Sequence, residues 1–327
     1  MARVLLTGGG GFIGGRLAAA LCDRGDELVA LARGEAAART LGAAGVRVVR
    51  GDVCDPGAVA EAVRGCELVH HVAGLNSHCP ADPGRLWRVN VLGPQTVVRA
   101  AARAGVRRVV FTSSSATVGE AAGTVGSETT PHRGTFLSLY EQSKLVGERA
   151  GLLAAAVNGV EAIALAPTSV QGPPRRGGNG AIIIAYLNGR LPVFVPTVIS
   201  IVDVRDVVAA HLLAEHRGRA GARYVLSGPP ITSPQALALL AELSGVEHRV
   251  RMVPPPVARA LAAGLDLGFR ARGRVSPVCR ARIDTILHGH RYDGSLAERE
   301  LGLRYTPVAE TFARTIEWAR REGFSPA

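Results

Sequence analysis

The chain has 327 residues, 47% of them hydrophobic and 4% aromatic, with a formal net charge of +11. That length can enclose a core of Ala, Val and Leu, as one large domain or two joined ones. The arginines are dispersed, with no basic block and no interleaved aromatic platform, which argues against a nucleic-acid binder; no apolar run is long enough to span a bilayer.

In chain order, short Val/Leu-rich runs predict strands over 4–7, 27–32, 46–50, 68–72, 108–112 and 161–165. Between them, Ala-rich stretches predict helices over 12–24, 83–104 and 136–157. Unbroken apolar strands separated by helices point to an α/β fold with a parallel sheet covered on both faces. Around Pro167 the character changes. Residues 172–180 read as a Pro/Gly/Arg loop, followed by helices over 181–188, 204–215, 233–244, 256–267 and 308–322 and a strand over 223–226. The expected organisation is a dinucleotide-binding domain over 1–170, with segments returning to it from about 198–227. A smaller, mostly helical substrate lobe then covers 171–327.

The start, Met1 to Gly8, enters a strand-and-glycine pattern at once and does not read as a signal peptide. Five cysteines, odd in number and without a C-x-x-C pair, predict neither a disulfide frame nor a zinc site and fit a reducing cytosol. A soluble, cytoplasmic protein without a metal is expected.

Thr7-Gly8-Gly9-Gly10-Gly11-Phe12-Ile13-Gly14 leaves the first strand and opens the first helix. Glycine there permits a tight turn and close approach of a pyrophosphate, which the free N–H groups of the helix terminus attract. A dinucleotide site of Gly8, Gly11, Phe12, Ile13 and Gly14 follows. The second strand ends Leu31-Ala32-Arg33. Where an NAD(H) site usually places an acid there is Ala32, and Arg33 suits a 2′-phosphate, so NADP(H) is favoured. Asp52 and Val53, ending the third strand, would meet the adenine, with a plain Asp turn as the alternative for Asp52. The small residues Ala73 and Gly74 after the fourth would let backbone lie along the cofactor. His70 and His71 read as packed strand residues. Asn90, on the next helix, is a candidate substrate contact, with a bond to its own helix backbone as the alternative.

Tyr140 and Lys144 stand four apart, on one helix face. Lys144 is the only lysine in a chain that otherwise uses arginine. A nearby ammonium stabilises a phenolate, so Lys144 is expected to lower the pKa of Tyr140 and make it an acid/base near neutrality, with Lys144 also on the cofactor ribose. Ser113, Ser114 and Ser115 follow the fifth strand, at the sheet edge where ligands bind; one of them would hold a carbonyl oxygen. The 173–180 loop could act as a flexible lid; its Arg175 and Arg176 read as exposed linker charge, with contact to an anionic group as the alternative.

With these residues in place, the chain resembles the extended short-chain dehydrogenases/reductases, the NAD-dependent epimerase/dehydratase superfamily. The resemblance rests on Thr7 to Gly14, Tyr140 and Lys144, the segment Pro167 to Pro173, Val202 to Val207 and Ser295 to Gly302. It implies a Rossmann doubly wound sheet, Ser114 as the catalytic serine, and Pro167 and Val170 beside the nicotinamide. It is similar to the dihydroflavonol-reductase-like and hopanoid-associated sugar-epimerase-like branches. Val118 and Gln171 stand where nucleotide-sugar enzymes usually carry Tyr. The expected activity is reduction of a ketone or aldehyde, or its reverse, on a small molecule. An epimerase or dehydratase with retained cofactor and a non-catalytic NADP(H) sensor are the alternatives. A homodimer is compatible with the family.

Overall fold

In the computed structural model, which describes residues 1–325, seven strands form one parallel sheet. They are β1 (Arg3–Thr7), β2 (Glu27–Ala32), β3 (Arg47–Arg50), β4 (Leu68–His71), β5 (Arg108–Thr112), β6 (Glu161–Pro167) and β7 (Arg223–Leu226). Their order is β7-β6-β5-β4-β1-β2-β3. The winding reverses between β1 and β4, and crevices at such a reversal are where open sheets bind ligands.

Alternate residues of each strand feed two cores. Leu5, Val29, Val69, Val109 and Phe111 pack with Val59, Val97, Ala101 and Ala154 from the helices Pro56–Ala62, Gly93–Arg103 and Leu139–Asn158. On the other face, Leu6, Leu28 and Ala30 meet Leu17 and Leu21 of Phe12–Asp23, and Val110 and Ile163 meet Val207 and Ala210 of Val204–Arg217. Covering on both sides is why these strands are apolar throughout.

The segment expected as one helix over 83–104 is three pieces: Pro83–Trp87, a π-helical turn at Arg88–Leu92, and Gly93–Arg103. Pro94 has no N–H to bond the Asn90 carbonyl four residues back, and the ladder widens there. The freed carbonyl faces Gly147, where a Cβ would lie 1.8 Å from it. The helix expected from 136 starts at Leu139, because the Ser138 hydroxyl accepts the Glu141 N–H and caps it.

Beyond Pro167, Pro230–Thr232, Val198–Asp203 and Ser169–Gln171 make a separate three-stranded sheet. Of the expected return segment, Arg223–Leu226 joins the large sheet. Val198–Asp203 pairs instead with Ser169–Gln171. A further core of Ile183, Tyr186, Leu240, Phe312 and Trp318 lies in this part. Three short helices, Glu35–Ala43, Pro56–Ala62 and Arg280–His288, were not expected.

The cysteine expectation is overturned. Cys79 and Cys279 form a disulfide across 200 residues, their Cα atoms 5.9 Å apart, while Cys22, Cys54 and Cys66 are thiols. Spacing along the chain carries no signal for a pair that only folding brings together. No helix among the described residues is long and apolar enough to cross a membrane.

Candidate active site

The glycine loop is built for contact with backbone-sized groups. Gly8 has φ +76°, and a Cβ there would come within 2.6 Å of the Ala73 nitrogen; one on Gly14 would lie 2.1 Å from the Gly8 carbonyl oxygen. Gly11 begins the helix Phe12–Asp23 with no capping side chain and no acid in the first turn. Its N–H groups are therefore left for an anion. The residues present fit a dinucleotide pyrophosphate.

At the ends of β2 and β3, Arg33 and Asp52 come together, 3.7 Å between guanidinium and carboxylate. Asp52 also accepts the Cys54 N–H at 3.0 Å. Val53 is buried against Gly93. The Ala73 N–H donates to Thr7 Oγ1, and Thr7 in turn bonds His71 Nδ1 at 2.7 Å. Gly74 sits between Asn90 and Lys144. Burial and the Lys144 charge push the His71 pKa down to about 3, so His71 is a neutral strand residue, as is His211, held well below the ordinary value by burial and His70.

The three serines separate by their partners. Ser113 bonds the Glu148 carboxylate, which also takes Thr117 and Arg223. Ser115 faces the Tyr292 phenol. Ser114, most of its surface buried, accepts the Ala116 N–H at 3.3 Å and acts on the Tyr140 phenol, opposing the rise of its pKa. Lys144 lies one helical turn beyond Tyr140, and its ammonium donates to the Thr112 carbonyl at the end of β5 at 2.9 Å. Burial lowers its pKa to about 8, opposed by Glu148.

One expectation is corrected here. Burial raises the Tyr140 pKa, and the groups that oppose this are Ser114 and the Arg175 guanidinium rather than Lys144. The physical reason is the anchoring of Lys144 on Thr112, with the phenol enclosed among other groups. Asn90 is 3% exposed and its amide is consumed: Oδ1 accepts the Leu75 N–H at 2.8 Å, and Nδ2 donates to the Leu75 carbonyl and to Ser143 Oγ. These bonds tie the β4 loop to the Tyr140 helix, rather than closing on the backbone of Asn90's own helix.

The sequence pattern did not reveal the inward Arg175, the His78 contact or the buried chain beneath the site. Arg175 folds inward, bonds the Val170 carbonyl and lies 5.0 Å over the Phe12 ring, so it is not loose linker charge. Pro167 ends β6 and Val170 is buried beside it. His78 packs edge-on against Tyr140, ring centres 5.2 Å apart, and reaches Ser138 Oγ at 3.3 Å. Burial and Arg282 hold its pKa near 4. Beneath the site, a buried chain runs from Thr112 through His211 and His70 to Glu215, which Arg24 neutralises. His70 and His211 are far apart in sequence, so neither announces the other.

This glycine cradle on a parallel sheet, with hydroxyl, phenol and ammonium at its carboxyl edge, defines a dinucleotide-dependent enzyme. The chain belongs to the NAD dependent epimerase/dehydratase family, which it matches over residues 4–227. It is 34% identical over 327 residues to Sterol demethylase protein B of Methylococcus capsulatus, covering 98% of each chain. It is 31% identical to a putative dihydroflavonol 4-reductase of Synechocystis, covering 98% of this chain and 95% of that one. Among solved structures, MoeE5 in complex with UDP-glucose and NAD superposes with a TM-score of 0.78 at 28% identity, covering 98% and 99%.

Proposed function

We propose that this enzyme reduces a ketone or aldehyde with NADP(H), or runs the reverse oxidation. The observation that carries the reading is the sorting of the three serines: only Ser114 meets Tyr140, on the helix that also presents Lys144. Gly8, Gly11, Phe12, Ile13 and Gly14 would hold the pyrophosphate, Arg33 the ribose phosphate, and Asp52 and Val53 the adenine. Ala73, Gly74, Pro167 and Val170 would flank the nicotinamide, which supplies or takes the hydride when bound. Ser114 orients the carbonyl oxygen, Tyr140 delivers the proton to it, and Lys144, one helical turn beyond and fixed by Thr112, would orient the cofactor ribose. Enclosure keeps Tyr140 protonated at neutral pH, as a donor must be.

The reductase relative supports this direction of chemistry. The NAD-bound nucleotide-sugar neighbour supports the second reading, an epimerase or dehydratase that returns its hydride, with NAD(H) in the site. Stoichiometry separates them. A panel of ketones and aldehydes assayed at 340 nm should consume NADPH one for one. Turnover with no net absorbance change, on a nucleotide sugar, would establish the second reading instead. Tyr140→Phe should abolish turnover and leave cofactor affinity within about threefold of the native value.

We further propose that residues 1–170 form the dinucleotide domain, with returns within 198–227, and 171–327 the substrate lobe. A cytoplasmic location suits the cofactor. A homodimer would use the Tyr140 helix, where Leu153 and Val157 are exposed.

A further inference from the structure

The helix Pro255–Arg270 buries only Ala258 and Ala262. At 100° per residue, Val257, Leu261 and Leu265 share one outward side, and Ala260, Ala263, Gly264 and Leu267 complete it. Val257 is 48% exposed, Leu261 57%, Leu265 51% and Leu267 70%. Met252 and Val275, before and after the helix in the chain, are exposed as well. This outer face carries no charge. The charged residues of the helix gather on its flank, where Arg259 pairs with Asp284 and Arg270 with Asp266. Four large apolar side chains left in water mark a surface that meets an apolar partner.

The rim of this face indicates which partner. Between 251 and 288 there are seven arginines against two aspartates. Arg251, Arg272, Arg274 and Arg280, in the segments flanking the helix, are exposed, and Arg272 bonds the Gly268 carbonyl at the helix end. A second copy packed two-fold on this face would bring the same arginines together. An anionic lipid surface satisfies both features, taking the apolar side chains among its acyl chains and the arginines among its headgroups. At 16 residues the helix can lie in such an interface but not cross it.

The helix is linked to the surroundings of Tyr140 through its neighbour. The helix packs on Arg280–His288. That second helix starts at Cys279, which is bonded to Cys79, next to the His78 that touches Tyr140. We propose that the Val257–Leu267 face docks the enzyme on anionic membranes as a peripheral, non-spanning contact. The docking does not depend on the reaction assigned above.

The test is co-sedimentation of the full chain with vesicles of phosphatidylcholine alone or with about 30% phosphatidylglycerol. At physiological salt, binding should be at least about tenfold stronger to the anionic vesicles and should weaken as salt rises. Leu261→Glu with Leu265→Glu should lose that binding about tenfold or more while keeping the native melting temperature and NADPH affinity. Should the double variant fail to fold, Leu267→Glu, at the most exposed of the four positions, gives the same readout. Arg272→Glu with Arg274→Glu should remove the preference for phosphatidylglycerol. Absence of vesicle binding by the native protein overturns the proposal. So does a native dimer, seen by light scattering, that Leu261→Glu dissociates without any change in vesicle binding.

Discussion

Breaking the Cys79–Cys279 bond removes a crosslink between the loop after β4 and the start of the Arg280–His288 helix, positions 200 residues apart. Closing so long a loop restricts the unfolded chain, and the chain-entropy relation puts the stabilisation at about 5 kcal/mol. The site should feel the change as well as the fold. Cys279 Sγ lies 3.4 Å from the His78 carbonyl, and His78 is the ring against Tyr140. Guanidinium unfolding followed by the fluorescence of Trp87 and Trp318, with and without a dithiol reductant, measures the first effect. The midpoint should fall on reduction, and Cys79→Ser should reproduce the reduced curve without reductant. Thiol titration of the unfolded, unreduced protein should find three free groups, Cys22, Cys54 and Cys66, and five after reduction. Five thiols before reduction, or superimposable unfolding curves, would refute the reasoning.

Gly14→Ala places a Cβ 2.1 Å from the Gly8 carbonyl, so the loop must shift and cofactor affinity should fall by at least about tenfold, read by fluorescence titration with NADPH. Arg33→Ala removes the proposed charge-assisted bond to a 2′-phosphate, worth about 2 kcal/mol, and should raise the KM for NADPH about thirtyfold with little effect on NADH. As pH rises through about 8, Lys144 loses its proton and kcat/KM should decline; Lys144→Met should lower activity and erase that limb. The same depressed pKa means that the unfolded chain holds more protons than the folded one between about 8 and 10.5. This group's contribution therefore makes stability rise with pH across that window, which denaturant midpoints in native and Lys144→Met proteins would register. Asn90→Ala leaves the Leu75 N–H without its partner and should cost about 1–3 kcal/mol of stability, seen as a lower melting temperature.

Much of the fold was legible because local physics wrote it. Strands covered on both faces must be apolar throughout, so β1, β2, β4, β5 and β6 stood out as short Val/Leu/Ala runs. The glycine loop was legible because its role is a backbone role: only glycine tolerates the approaches at Gly8 and Gly14. Tyr140 and Lys144 were legible because a helix turn sets their spacing, and because a chain that kept a single lysine kept it there. The short helices Glu35–Ala43, Pro56–Ala62 and Arg280–His288 were missed, having too few turns to establish a periodicity. The π-helical turn did have a local signal, the proline at 94, but its purpose lay elsewhere, in Gly147.

Tertiary structure alone decided the rest, because the groups concerned meet across long sequence separations. Three adjacent serines are equivalent on paper, and Glu148, Tyr140 and Tyr292 make them different. Asn90 became a clamp because Leu75 and Ser143 converge on it, and Arg175 an inward group because Phe12 and Val170 receive it. The direction of the Tyr140 pKa was misjudged for the same reason: helix spacing places the ammonium nearby, but enclosure decides which form of the phenol is stable. Cys79 and Cys279 show the limit most plainly. Composition gives the number of thiols, and only the packed chain determines which two lie within bonding distance.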